Sequence, residues 1–334
     1  MRISLSACLI IFCCSHCKPV KRYEGKNPLL FDASLSKDIS TKPNTRFILT
    51  MSDPLVPGAN NIYIPTMEMA WQQLDILLHH NIRLTNKTAA AIKALAYSPL
   101  IIPDNIPGSE VEASAENGEV NVKATMYAEL PFKHSFDTIQ GSFGNKKVKY
   151  FGITYSYEYR DYIDILSYKD EKHFIVSITP QDTSKEILFC MGYNQFHDFN
   201  KLYKSVNIDI ADAKKKESWR TSFMENDGFS APKINFDLTQ QLSSVQGQQF
   251  RAGKETYTIT NASLRNAFLL TEKGATVFNE ADMMAALDSI PVKRMIFDSP
   301  YTIILRKKTS PQPFAMMTIA DTELMTLSAN TDPF

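Results

Sequence analysis

Glycine is scarce in this chain, with 12 among 334 residues, which excludes a flexible low-complexity polymer. An excess of charge of either sign is also lacking. Lys+Arg and Asp+Glu stand at 36 each, so there is no broad electrostatic footprint for nucleic acid or anionic lipid. Cysteine is nearly absent from the body. Four of the five are Cys8, Cys13, Cys14 and Cys17, which leaves Cys190 alone. An oxidised framework needs partners spread through the fold, so Cys190 reads as a small buried hydrophobe. No Gly-rich phosphate loop and no Gly-x-Ser-x-Gly elbow occur. His79-His80 lacks the second pair and the acidic ligands that a zinc site needs. Lys214-Lys215-Lys216 reads as a solvated turn, and Trp71 and Trp219 as packing. No catalytic constellation remains, and neither a metal nor a cofactor is expected.

What is present is ordinary for a protein that builds a real core: 44% hydrophobic and 22% charged residues, in one large domain or two. Met1-Arg2 followed by the apolar run Ile3 to Ser15 has the proportions of a secretory signal, too short to span a bilayer as a mature helix. Cysteines crowd its end, as they do where bacterial lipoproteins are cleaved and acylated. Cys17 is the best-placed acylation site and Cys14 the alternative; a plain cleaved signal remains open. Residues 1–17 are therefore expected to be a signal, 18–45 a polar tether, and 46–334 the folded domain. The expected location is exported, on the cell envelope as a lipoprotein or else secreted or periplasmic. No later segment is apolar enough to cross a membrane.

Along the body, Ile62-Tyr63-Ile64 reads as a short strand and Pro65 opens a helix. Its apolar positions Met67, Ala70, Trp71, Leu74, Leu77 and Leu78 fit one buried face. Asn86 can cap a second helix with Ile92 and Leu95 inward, ended by Pro99. Residues 103–118 read as loop. Strands follow from Val120, at Ile153, Tyr155, Tyr157 and Tyr159 alternating with Thr154, Ser156, Glu158 and Arg160, at Ile163 to Tyr168 and at His173 to Thr179. Phe196, Phe199, Leu202 and Tyr203 have helical spacing. Val206, Ile208 and Ile210 alternate as a strand does, as do Ile234, Phe236 and Leu238. Apolar strands close the chain at Met295 to Phe297, Tyr301 to Leu305 and Phe314 to Ile319. The class is α+β, with helices mainly early and large mixed or antiparallel sheets after them.

The run Met295-Ile296-Phe297-Asp298-Ser299-Pro300-Tyr301-Thr302-Ile303-Ile304-Leu305 resembles the C-terminal signature of the serpin family, with Tyr301 in place of the usual Phe and Thr302 in place of a usual apolar residue. Ala267-Phe268-Leu269-Leu270-Thr271-Glu272-Lys273-Gly274-Ala275 resembles the strand and hinge that launch the serpin reactive loop. Val122 to Tyr127 with Pro131-Phe132, Pro232-Lys233-Ile234-Asn235-Phe236, and Asn61 to Leu74 resemble further serpin segments in the family order. The usual Trp before Pro131-Phe132 is missing, and Ile64 stands where the family has Ser. Stretches before Val122 and between Leu238 and Glu272 are short for the family, so the chain resembles a divergent, shortened bacterial serpin.

The resemblance implies a protease inhibitor that is not an enzyme but a suicide substrate, a monomer whose partner is a target protease of the serine or cysteine type. Its loop, at 275–294, would be exposed, cut, and then inserted into the main sheet as a new strand. The implied hinge is Glu272, Gly274, Ala275 and Thr276. The implied reactive bond is Asp288-Ser289, with Leu287-Asp288 as the alternative. Asp288 would suit proteases with a basic pocket, and Leu287 those with an apolar one. Phe297, Asp298, Pro300 and Tyr301 carry the signature. After the hinge, Val277-Phe278-Asn279-Glu280 stand where inhibitory members carry small residues. Burying Asn279 without partners would cost about 1–3 kcal/mol and slow insertion. Two other readings stay open: a non-inhibitory serpin-fold module, and an unrelated surface lipoprotein with a ligand-binding α+β domain.

Overall fold

A computed structural model describes residues 33–85, 88–116, 119–153, 162–272 and 292–328. The chain divides into two units. In the first, Met1–Leu35, the described part is one 3-10 turn at Ala33–Leu35. The second runs from Ser36 to Phe334 and contains everything that follows. The expected tether, 18–45, overlaps this second unit from Ser36 onward. Lys37–Asp38 already pairs with a strand, and Asp38 caps the 3-10 turn Ile39–Thr41 by accepting from Ser40 N.

Strands β1 (Lys37–Asp38), β2 (Thr45–Ile48) and β3 (Asn60–Tyr63) lead into helix α1 (Thr66–Leu77). Pro65 precedes the helix, where a missing N–H costs nothing. β4 (Ile82–Arg83) and α2 (Ala90–Ala96) follow, then β5 (Glu110–Glu116), β6 (Glu119–Thr125), β7 (Asp137–Phe143), β8 (Lys146–Ile153), β9 (Ile163–Asp170), β10 (His173–Ile178) and β11 (Lys185–Met191). Helix α3 (Phe199–Ala213) is followed by β12 (Gly228–Pro232), β13 (Ile234–Gln241), β14 (Gln249–Ala252), β15 (Glu255–Thr258) and β16 (Ser263–Leu270). The chain closes with β17 (Arg294–Ile296), β18 (Tyr301–Lys307) and β19 (Ala315–Ile319). The class is α+β.

The largest sheet has the order β2-β3-β19-β18-β11-β10-β9. It is antiparallel except at β2–β3. Its central strands are buried on both faces, which explains their near-continuous apolar runs. One face, with Phe174, Val176, Phe189, Ile303 and Met317, joins a core that also holds Phe136, Phe151, Phe229 and Phe297. The other face, with Ile175, Leu188, Cys190, Ile304 and Met316, packs on Phe199, Leu202 and Val206 of α3. Cys190 is fully buried and its thiol is pushed up by desolvation. A second sheet runs β17-β12-β8-β7, with β17 parallel to β12. Gly152 on β8 lies where a Cβ would strike the Phe229 carbonyl of β12, so that pair can approach only with glycine there.

Three smaller sheets complete the unit: β1-β13-β16, β15-β14-β4 and the hairpin β5-β6. Among the described residues, β6 and β16 are each paired on one side alone. Both halves nevertheless rest on the same apolar cluster, β5 and β6 through Val111 and Ala124, β13 and β16 through Phe236, Leu238 and Leu270.

Several expectations are corrected. Val206, Ile208 and Ile210 belong to α3, not to a strand. Asp198 caps that helix by accepting from Lys201 N at 2.8 Å, and Phe199, Leu202 and Val206 give it a helical stripe. Residues 110–116, read as loop, form β5, because β6 supplies an antiparallel partner over the whole length. On α1 the buried set is Glu68, Met69 and Trp71, with Met67, Leu74 and Leu78 only partly buried against a lesser cluster. Ile92 and Leu95 are buried on α2 as expected, although Asn86 lies outside the described residues. The strand at Ile153 is the end of β8; Tyr155, Tyr157 and Tyr159 also lie outside them.

Candidate functional site

Residues 273–291 lie outside the described part, and so do Gly274, Ala275, Thr276, Leu287, Asp288 and Ser289, together with Cys14 and Cys17. What can be described is the protein on either side of 273–291, where two anchors are built from buried charge.

The upstream anchor stands at the end of β16. Glu272, the expected first hinge residue, forms an ion pair with Lys233, which sits between β12 and β13; the two side chains are 15% and 10% exposed. Lys233 Nζ also donates to Thr138 Oγ1 of β7 at 2.9 Å, and its backbone is held by Lys149 O at 2.8 Å and by Thr326 N at 3.0 Å. The Glu272 carbonyl accepts from Phe136 N at 2.8 Å and from Ser135 Oγ at 3.3 Å. One residue thus ties the end of β16 to the start of β13 and, by its carbonyl, to the segment that follows β6.

The downstream anchor is at Lys293, just before β17. Its side chain is fully buried and meets the equally buried Asp227 at 2.7 Å. Lys293 Nζ also donates to Trp219 O at 3.0 Å. The expected loop, 275–294, therefore overreaches: Lys293 is interior and Arg294 begins a strand. Trp219, expected only to pack, is a wall of this anchor, with the Lys293 ammonium 5.5 Å and the Arg220 guanidinium 4.6 Å from its ring. Sequence reasoning missed the pair because a buried Lys–Asp contact between residues 66 positions apart has no local signature.

The signature residues follow at once. Phe297 is fully buried and its ring meets Phe174 at 5.0 Å, Tyr301 at 5.1 Å and Phe189 at 5.6 Å. Its carbonyl accepts from Tyr150 OH at 3.2 Å. Asp298 is half-exposed and pairs with Lys172 at 3.2 Å, while its carbonyl accepts from Gly144 N. Pro300 precedes β18, where a missing N–H breaks no ladder bond. Tyr301 starts that strand with its ring in the core and its hydroxyl buried without a hydrogen-bond partner. Burial pushes that phenol well above its usual range.

The remaining candidates are surface features. His79 and His80 are exposed and both take left-handed backbone angles near φ 56°; His80 Nδ1 meets Asp75 at 2.8 Å. Lys214 to Lys216 are exposed beyond α3, with Lys215 bonded to Asp212. Among the described residues no cluster of His, Cys, Asp and Glu could hold a metal, and no helix is long and apolar enough to cross a membrane.

No known family profile matches the chain, and no curated protein matches it in sequence. Solved structures do resemble it. SRPN18 of Anopheles gambiae is 9% identical, with a TM-score of 0.37 over 57% of this chain and 53% of that one. A serpin of Schistosoma mansoni is 10% identical, with a TM-score of 0.38 over 62% of this chain and 57% of that one. Thyroxine-binding globulin in complex with thyroxine is 8% identical, with a TM-score of 0.36 over 60% of this chain and 55% of that one. The chain spans a little over half the length of these structures. With superpositions this partial, the strand order and the two anchors are what bear on function.

Proposed function

We propose that the chain is a serpin-like protease inhibitor, a suicide substrate that offers the segment 273–291 to a protease and takes the cut end up as a strand. The observation that carries this reading is the pair of open edges. β6 and β16 each lack a described partner on one side, they rest on one core, and β16 leads directly into Glu272 and the offered segment. Unpaired strand edges are templates for another strand. The inner face of the β13–β16 pair supports it further. Leu238 lies across from Asn266 and Gln240 across from Leu264, and both Asn266 Nδ2 and Gln240 Oε1 are buried without hydrogen-bond partners. Buried polar atoms are nearly always satisfied, and an inserted strand would bring polar groups to this pair of strands.

The partner is a serine or cysteine protease cutting at Asp288-Ser289 or at Leu287-Asp288. The chain acts as an exported monomer, held to the envelope through lipid on Cys17 or Cys14. Val277-Phe278-Asn279-Glu280 favours a second reading, a non-inhibitory module that is cut without trapping, since Asn279 would enter the sheet at a cost.

Incubation with a panel of proteases followed by a denaturing gel separates these readings. A band combining both masses supports inhibition. Clean cleavage within 273–291, without an adduct, supports the module. No cleavage there by any protease removes both, and favours a ligand-binding surface lipoprotein of another kind.

A further inference from the structure

β17 is a weak anchor when only its backbone is counted. It has three residues, it forms an edge of its sheet, and its described partner is β12 alone, in parallel. The bonds flanking it run from Gly228 N to Lys293 O and from Phe297 N to Ser230 O, both at 3.0 Å. A ladder this short can be rebuilt after a slip, since strand pairing repeats every second residue. Of its side chains Met295 alone is buried, while Arg294 and Ile296 face solvent.

The charge pair beside it has no such tolerance. Asp227 accepts through Oδ2 from Lys293 Nζ at 2.7 Å and from Met224 N at 2.8 Å, and through Oδ1 from the Lys293 backbone N at 2.7 Å. The same residue is therefore held by both side chain and backbone. A slip of one residue moves the chain by roughly 3.3 Å and strands both charges in the interior. Buried ion pairs add little net stability over apolar residues of the same shape, and their best-attested use is to fix register.

We propose that Asp227 and Lys293 are a positioning pair that locks the register of β17, and so fixes which bond of the segment 273–291 is presented to a protease. The inference rests on the bait reading given above, and it deepens that reading by assigning residues that set specificity from outside the segment that is cut.

Two variants test it. Lys293→Met leaves a lone buried carboxylate and risks misfolding. Asp227→Asn with Lys293→Met removes both charges at once, so no unpaired charge is left in the interior, and the Asn amide oxygen still accepts from one of the two backbone N–H groups, Lys293 or Met224. In the double variant, amide hydrogens at 294–297 are expected to exchange at least about tenfold faster than in the native chain, with those of β8 and β12 unchanged. A protease that cuts the native chain at one bond within 273–291 is expected to cut the double variant at two or more neighbouring bonds, as read by mass spectrometry. Unchanged exchange at 294–297, or cleavage of the double variant at the same single bond, overturns the assignment. If no protease cuts the native chain in 273–291 the bait reading fails, and the exchange measurement still decides whether the pair locks the strand.

Discussion

The seven-stranded sheet and the split sheets β5–β6 and β1-β13-β16 share a core but are built on opposite plans. Strands β10, β11, β18 and β19 sit between two apolar clusters, and every one of them has a partner on both sides. The split sheets have patchy burial, edges without described partners and orphaned amide atoms on their inner face. The first plan leaves its central strands no open backbone edge, although the Tyr301 and Thr302 hydroxyls on β18 are buried without partners there too. The second leaves strand edges without partners among the described residues, and it is the one that leads to Glu272 and residue 273. A rigid half that holds the signature and an open half that can change is the division that loop insertion would require.

Phe297→Ala is the largest expected break in the rigid half. A fully buried ring in contact with four other rings is removed, so the loss should be about 3–5 kcal/mol, read as a lower urea midpoint. A loss below about 1 kcal/mol would mean that this core is not closed as described.

The boundary between helical layer and sheet offers a pH test. Glu68 of α1 is 1% exposed and its carboxylate accepts from Tyr63 OH of β3 at 2.6 Å and from Ser98 Oγ. Burial, aided by the charge of Asp53, lifts its pKa from 4.5 to about 7 against the lowering effect of those two hydrogen bonds. The folded state therefore holds this proton more tightly than the unfolded one. Stability from the neutral carboxyl is complete below the unfolded value of 4.5 and is lost as pH rises through about 7, a change on the order of 3 kcal/mol. Thermal melts from pH 5 to 8 should fall with pH, and Glu68→Gln should flatten that slope. A native slope that survives the substitution assigns the effect elsewhere.

Glu272→Gln tests the open half. It removes one partner of a mostly buried ion pair but leaves Lys233 its bond to Thr138, so the cost should be about 2 kcal/mol, less than for a stranded charge. Amides of β16 should exchange faster while those of β10 and β11 hold. Equal acceleration in both halves would dissolve the distinction between them.

The strands of the rigid half could mostly be read in advance, with β11 (Lys185–Met191) missed between the strand at 173–179 and the helix at Phe199. Strands at 173–179, 301–305 and 314–319 stand out because both faces are buried, so each is an apolar run bounded by polar turns, while 163–168 is an edge strand with Asp164 exposed. The open half is harder. Glu110–Glu116 alternates polar residues with Val111, Ala113 and Ala115, a strand signal made weak by its small apolar residues and completed by its partner β6. Val206, Ile208 and Ile210 fit a period of two, and the cap at Asp198 with the stripe Phe199, Leu202 and Val206 decides for the helix. Glu68 falls on the buried side of α1, where a carboxylate makes sense only once Tyr63 and Ser98 are seen beside it. Of the site, Glu272 and the run 295–305 stand out in the sequence only by resemblance, while Lys233, Asp227 and Lys293 draw their roles from distant contacts.

The smallest expected effect sharpens the comparison from the other side. Tyr301 stands where the serpin signature has Phe, and its hydroxyl is buried in the rigid half without a partner. An orphaned buried hydroxyl costs about 1–3 kcal/mol, while the ring itself packs on Phe297 and lies within 6.3 Å of Phe143. Tyr301→Phe keeps the ring and removes the orphan, so it should stabilise the protein by about 1 kcal/mol, seen as a higher melting temperature. A lower melting temperature would show that the hydroxyl is satisfied in solution.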